Sequence, residues 1–196
     1  MKMRNLALLV MLAAVAIMAM AASSAAAFTE FLVVGAKPTG KGGAQELVAK
    51  GSAGKSTTVK CEEVVTKGEV VTATLLHEEG EYLKCKIAGI AAEVKTPCVL
   101  SFHPDGTVDI LNKPTGCVDT ILAKATGCEI KIKGGQLGLK SVTYKNIKED
   151  EMEVSGTVGG IAFETATGKA CGFTNASETG TASYTGKAVL TNVDVK

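Results

Sequence analysis

The chain carries one arginine and no tryptophan. The arginine, Arg4, stands at the extreme N-terminal side, so the rest of the chain lacks the planar bidentate fork that most often grips phosphate and carboxylate. Lysine still binds anions as a point charge, so what is missing is the commonest device for that chemistry. Aromatic residues are few, five Phe and three Tyr. Sugar-binding surfaces usually stack rings on Trp or Tyr, so a carbohydrate module is disfavoured. Only two histidines occur, His77 and His103, and a triad or a histidine metal site has to use one of them. No serine lies in a G-x-S-x-G elbow. No C-x2-C pair exists either; the closest cysteines, Cys117 and Cys128, are eleven positions apart, whereas zinc sites are built on tight local pairs. The formal net charge is +1, which gives no global pull toward nucleic acid or anionic membrane.

What is present begins with residues 1–27. Lys2 and Arg4 precede an uncharged apolar run of 17 residues, Leu6 to Ala22, and Ser23-Ser24-Ala25-Ala26-Ala27 then leads to Phe28. A basic start, an apolar core and a small-residue exit are the marks of a secretory signal peptide, and cleavage is expected at Ala27–Phe28. The expected mature chain, residues 28–196, has 19 Lys against 20 acidic residues once Lys2 and Arg4 are removed, a net charge of −1. Its size suits a single domain. The run at the front falls short of the ~20 residues of a spanning helix, so no membrane insertion is expected after cleavage. The compartment is then secreted or extracellular, with the periplasm or cell surface as variants, where disulfides persist.

The six cysteines, Cys61, Cys85, Cys98, Cys117, Cys128 and Cys171, all follow the signal. An even count in a secreted chain reads as three disulfides. The preferred pairing is Cys61–Cys85, Cys98–Cys117 and Cys128–Cys171. The second pair flanks a hairpin turning at Pro104-Asp105-Gly106. The first carries a geometric condition: first and third strands of a flat meander lie ~9.5 Å apart, beyond the ~7 Å a disulfide allows, so the third segment must fold over onto the first.

The pattern along the chain is that of β-structure. Cys128–Lys133 alternates with Cys128, Ile130 and Ile132 inward and Glu129, Lys131 and Lys133 outward, the signature of a half-buried antiparallel strand. Strands are also expected over Glu30–Ala36, Gln45–Ala49 and Ser56–Val65, the last with Val59, Cys61, Glu63 and Val65 on one face. Turns are expected at Thr66-Lys67-Gly68 and Glu78-Glu79-Gly80, with Glu69–Leu76 and Tyr82–Ile87 as strands beside them. Further hairpins follow, Cys98–His103 with Thr107–Leu111, and Leu137–Ile147 with Glu151–Val158. Ile161–Thr165 and Ala182–Val195 complete the set, the last as a candidate edge strand. Short helices at Gln45–Lys50 or Val118–Lys124 are the alternative. The Gly- and Lys-rich segment 35–55 is expected to be the flexible part. Turn signals every eight to twelve residues predict one antiparallel all-β domain, a sandwich in preference to a barrel.

Few motifs carry chemistry. Gly51-Ser52-Ala53-Gly54-Lys55-Ser56 imitates a phosphate loop, but position 49, where the motif needs its first glycine, is Ala49, and a strand follows where a helix should. A flexible turn is the simpler reading. His77, next to Glu78 and Glu79, and His103, next to Pro104-Asp105, read as exposed turn residues. Glu149, Asp150, Glu151 and Glu153 lack the calcium-loop pattern and read as the wet face of a strand. Asn175-Ala176-Ser177 is a formal glycosylation sequon. No catalytic, cofactor-binding or metal-binding residue and no cofactor is expected.

Thr58–Glu62 (TVKCE), Cys98–Ile110 (CVLSFHPDGTVDI), Cys128–Ile132 (CEIKI), Leu139–Asn146 (LKSVTYKN) and Gly180–Gly186 (GTASYTG) together resemble small secreted β-rich proteins of unknown function from soil actinobacteria. The resemblance implies a secreted, disulfide-bonded β-domain and no catalytic residue. The expected function is an exported non-enzymatic domain, acting as a structural or interaction module with an unknown cell-surface or extracellular partner. The first alternative is an extracellular protein binding a small apolar ligand between its sheets, since many small residues and few large rings leave a core under-filled. The second is a secreted hydrolase using His77 or His103 with nearby carboxylates.

Overall fold

Alternating β-branched and polar residues give strands almost throughout the computed structural model, which describes residues 28–96, 99–111 and 119–196. Among these residues there are fourteen strands and no helix. They are β1 (Thr39–Gly42), β2 (Gln45–Gly51), β3 (Ser56–Cys61), β4 (Glu63–Thr72), β5 (Leu75–Ile87), β6 (Ile90–Lys95), β7 (Leu100–Phe102), β8 (Thr107–Ile110), β9 (Asp119–Ala125), β10 (Cys128–Lys133), β11 (Gln136–Lys140), β12 (Val142–Lys148), β13 (Glu151–Thr165) and β14 (Glu178–Thr191). All belong to one antiparallel sheet.

Three strands organise it. β5, β13 and β14 run for 13, 15 and 14 residues, long enough to serve two tiers of neighbours. In the first tier the ladders form a circuit: from β5 through β3, β2, β14, β13, β10, β9 and β6 they return to β5. The second tier runs β11–β8–β7–β5–β4–β1–β14–β13–β12. Its two ends are tied by three hydrogen bonds. Gln136 Nε2 donates to Ala162 O at 3.0 Å while Ala162 N donates to Gln136 Oε1 at 2.6 Å, and Val142 N donates to Gly106 O at 3.0 Å. The inward faces make one apolar core, with Leu76, Ile130 and Met152 wholly buried. Each such side chain contributes about 1.5–3 kcal/mol.

Cys61–Cys85 and Cys128–Cys171 are bonded, with Cα atoms 3.9 and 4.8 Å apart; Cys98–Cys117 lies outside the described residues. The first bridge meets its geometric condition by a route other than folding over. No turn forms at Thr66-Lys67-Gly68 or at Glu78-Glu79-Gly80. Instead β4 continues to Thr72, the chain reverses at Ala73-Thr74, and β5 runs back without interruption. β3 and β4 are therefore collinear, and both pair with β5 in one register, Glu63 opposite Leu83 and Val59 opposite Ile87. Cys61 and Cys85 face each other across a single long hairpin.

The inward face switches at Glu62 and Lys84. Before this point Thr57, Val59 and Cys61 are buried; after it Val64 and Val70 are, while Glu63 and Val65 are not. Lys84 has φ +53°, and Glu62 N donates to Leu83 O at 3.2 Å. Both strands thus change phase together, which the expected single face of Val59, Cys61, Glu63 and Val65 does not allow.

The strand expected over Gln45–Ala49 forms as β2, and the described part of 118–124 is strand in β9, so neither alternative helix forms among the described residues. Around Glu30–Ala36 only an isolated bridge forms, Phe31 to Val195. Segment 35–55 contains β1 and β2. β14 is no edge: β13 covers one side, and β2 and β1 share the other.

Candidate functional site

β5 brings the site together. Its inward residues after the reversal are Leu76, Glu78, Gly80 and Tyr82, and opposite them β4 presents Thr66, paired with Gly80, and Gly68, paired with Glu78. On the other side of β5, Leu100 of β7 pairs with Glu78. These strands, with β2, β8 and β10–β14, surround a cavity of about 120 Å³. Its lining is almost wholly apolar: Val64, Phe102, Val108, Ile132, Val158 and Leu190 are representative.

Glu78 is the one acidic residue of this lining. It is 3 % exposed, it lines the cavity, and neither carboxyl oxygen has a hydrogen-bond partner. Thr66 Oγ1, also lining the cavity, is likewise buried and unpartnered. Burial pushes the Glu78 carboxyl from 4.5 up to about 8; Thr66 offsets part of this, although no bond of normal geometry joins the two. Buried polar groups are nearly always satisfied, so three orphaned oxygens on two cavity-lining residues call for a partner. Gly68 makes room for the carboxyl: a Cβ there would meet His77 O and stand 2.5 Å from Glu78 Oε1.

A second polar group closes one side. Tyr82 donates to Tyr184 at 3.5 Å, Tyr184 donates to Gln45 Oε1, and Gln45 Nε2 donates to the carbonyls of Gly43 and Lys187, both at 3.0 Å. The two rings meet edge to face at 6.4 Å. Burial raises both phenols above their ordinary value of 10. Gly186 is required beside them, because a Cβ there would collide with Gln45 Oε1. Gln45, Tyr82 and Tyr184 line both the main cavity and a void of about 30 Å³, space for about one water. They form a hydrogen-bonded partition between the two.

The residues singled out from sequence lie elsewhere. His77 is in β5, partly buried on the face opposite Glu78, and is no turn residue. His103 Nε2 and Asp109 Oδ2 are 3.0 Å apart, Asp109 Oδ1 accepts from Gly138 N at 2.6 Å, and the His103 carbonyl accepts from Tyr144. This pair ties β7, β8, β11 and β12 together outside the cavity. Glu151 and Glu153 are ion-paired with Lys148 and Lys187 at 3.0 and 2.7 Å. The phosphate-loop imitation is the β2–β3 turn, and its Ser52 Oγ and Ala53 N grip a carboxylate of this same chain, Glu178 Oε1, at 2.5 and 3.3 Å. Asn175 of the sequon donates to Glu178 Oε2 at 3.1 Å. The Ser52 bond, with the others, holds the Glu178 carboxyl below its ordinary value. Phe28, the expected first mature residue, packs edge-on against Tyr144 at 6.4 Å.

Sequence reasoning passed over Glu78, Thr66, Tyr82, Tyr184 and Gln45. Only one signal pointed to them, the period-two run Leu76, Glu78, Gly80, Tyr82, and Glu-Glu-Gly turn chemistry masked it. Comparison with family models, curated proteins and solved structures returns no match to this chain.

Proposed function

We propose that this chain is an exported, non-enzymatic β-domain that holds a small, largely apolar molecule in its interior. The observation that carries this reading is the cavity of about 120 Å³ inside a continuous antiparallel sheet. A cavity of ~150 Å³ lined by aliphatic and aromatic side chains binds benzene, so this one suits a ligand of comparable or smaller size. The circuit of ladders favours a barrel-like enclosure over two separate sheets, because β5 pairs with both β3 and β6. Two disulfides suit an oxidising compartment, in keeping with export and removal of residues 1–27. The interior site favours ligand binding over a purely surface-acting module. As a hydrolase the chain would need a nucleophile beside His77 or His103, and the His103–Asp109 pair bonds instead to backbone groups of its own fold.

The test is a methyl-detected NMR titration of the mature chain, disulfides intact, with benzene and with xenon. The expected result is saturable shifts at Val64, Val108 and Leu190. Probes that leave these methyls unmoved up to their solubility would overturn the reading.

A further inference from the structure

We propose that the cavity recognises a primary amine: a small alkyl or aryl amine whose ammonium group sits against Glu78 and Thr66 while its hydrocarbon body fills the apolar space. This rests on the ligand-binding reading above and assigns the chemistry of the head group. Glu78 and Thr66 both line the cavity, and their three side-chain oxygens are buried without partners. They come from adjacent strands and are diagonal neighbours two residues out of register, since Glu78 stands opposite Gly68 and Thr66 opposite Gly80. An ammonium group has three donors and so matches three acceptors. Among the described residues, Lys187 is the only lysine lining the cavity, and its ammonium is 2.7 Å from Glu153 with the side chain 62 % exposed. A cation beside Glu78 favours its ionised form, in which both carboxyl oxygens accept; a hydroxyl head brings a single donor, and a carboxylate head brings none. The lining beyond these oxygens offers hydrocarbon, and the volume limits the body to about six heavy atoms by comparison with the benzene-sized cavity. Burying a charge pair desolvates both partners, so the gain lies in selectivity for the amine.

Cyclopentylamine, cyclopentanol and cyclopentane share one shape and differ only in the head. Each is titrated into the disulfide-intact mature chain, and into Glu78→Gln and Thr66→Val, following the methyls of Val64, Val108 and Leu190. In the wild type the amine should bind about tenfold or more tighter than the other two. Glu78→Gln should abolish that margin, and Thr66→Val should reduce it. If cyclopentane or cyclopentanol binds as tightly as the amine, or the margin survives Glu78→Gln, the head-group assignment is overturned and the ligand-binding reading stands. If none of the three moves the cavity methyls, both fall. Should Glu78→Gln not fold, the wild-type ranking and Thr66→Val decide the matter.

Discussion

Glu78 makes the stability of this protein depend on pH in a direction opposite to that of most carboxylates. In the unfolded chain its carboxyl ionises near 4.5; in the fold, burial moves this to about 8. Between those values the folded state keeps a proton that the unfolded state has lost, so stability falls as pH rises. The contribution is fully present below about pH 4.5 and gone above about pH 8, a difference of about 3–5 kcal/mol. Urea midpoints across this window should therefore drop with pH in the ligand-free wild type, and Glu78→Gln should flatten that trend; an unchanged slope would mean Glu78 does not control it. Gly68→Ala tests the space beside the carboxyl. The added methyl meets a backbone carbonyl that has no freedom to move, and the expected loss is about 1–3 kcal/mol in the same urea assay. A cost within error would show that β4 and β5 are less tightly apposed at Gly68 and Glu78.

At the scale of elements, the long hairpin of β3, β4 and β5 is locked by Cys61–Cys85, and the segment between β13 and β14 is held to β10 by Cys128–Cys171 and to β13 by the stacking of Phe173 on Phe163 at 5.6 Å. Their sequence separations are 24 and 43 residues. Loop-closure entropy gives about 3.5 and 4 kcal/mol for such loops, so replacing the second pair by alanine should lower the urea-extrapolated stability slightly more than replacing the first. The reverse order would point to strain or denatured-state structure. These elements also show where sequence is a sufficient guide. β10 and the β7–β8 hairpin were legible because clean alternation and Pro-Asp-Gly chemistry act locally; Asp105 Oδ1 accepts both the N–H and the hydroxyl of Thr107, at 2.9 and 2.7 Å. β4 and β5 were not legible. Thr66-Lys67-Gly68 and Glu78-Glu79-Gly80 have turn composition, but here glycine serves close packing against Glu78 and the charges of Lys67 and Glu79 pair across the hairpin at 3.2 Å. The site fell with them, since a glutamate read as a turn residue cannot also be read as buried.

For the whole molecule, export and bridging are tested together by intact mass. Protein secreted from a bacterial host should begin at Phe28 and weigh six hydrogens less than its reduced sequence, and a bound adduct under native conditions would be the ligand itself. An uncleaved chain with free thiols would remove the basis of the extracellular reading. The three long strands have a separate consequence. β5, β13 and β14 each pass through both tiers, so neither tier can come apart without unzipping strands that the other needs. The molecule should consequently melt as one cooperative unit despite its two-tiered ladder. Amides of β5, β13 and β14 should share a single exchange free energy equal to that of global unfolding, and the many ladders joining residues distant in sequence should make refolding slow, on the order of milliseconds to seconds.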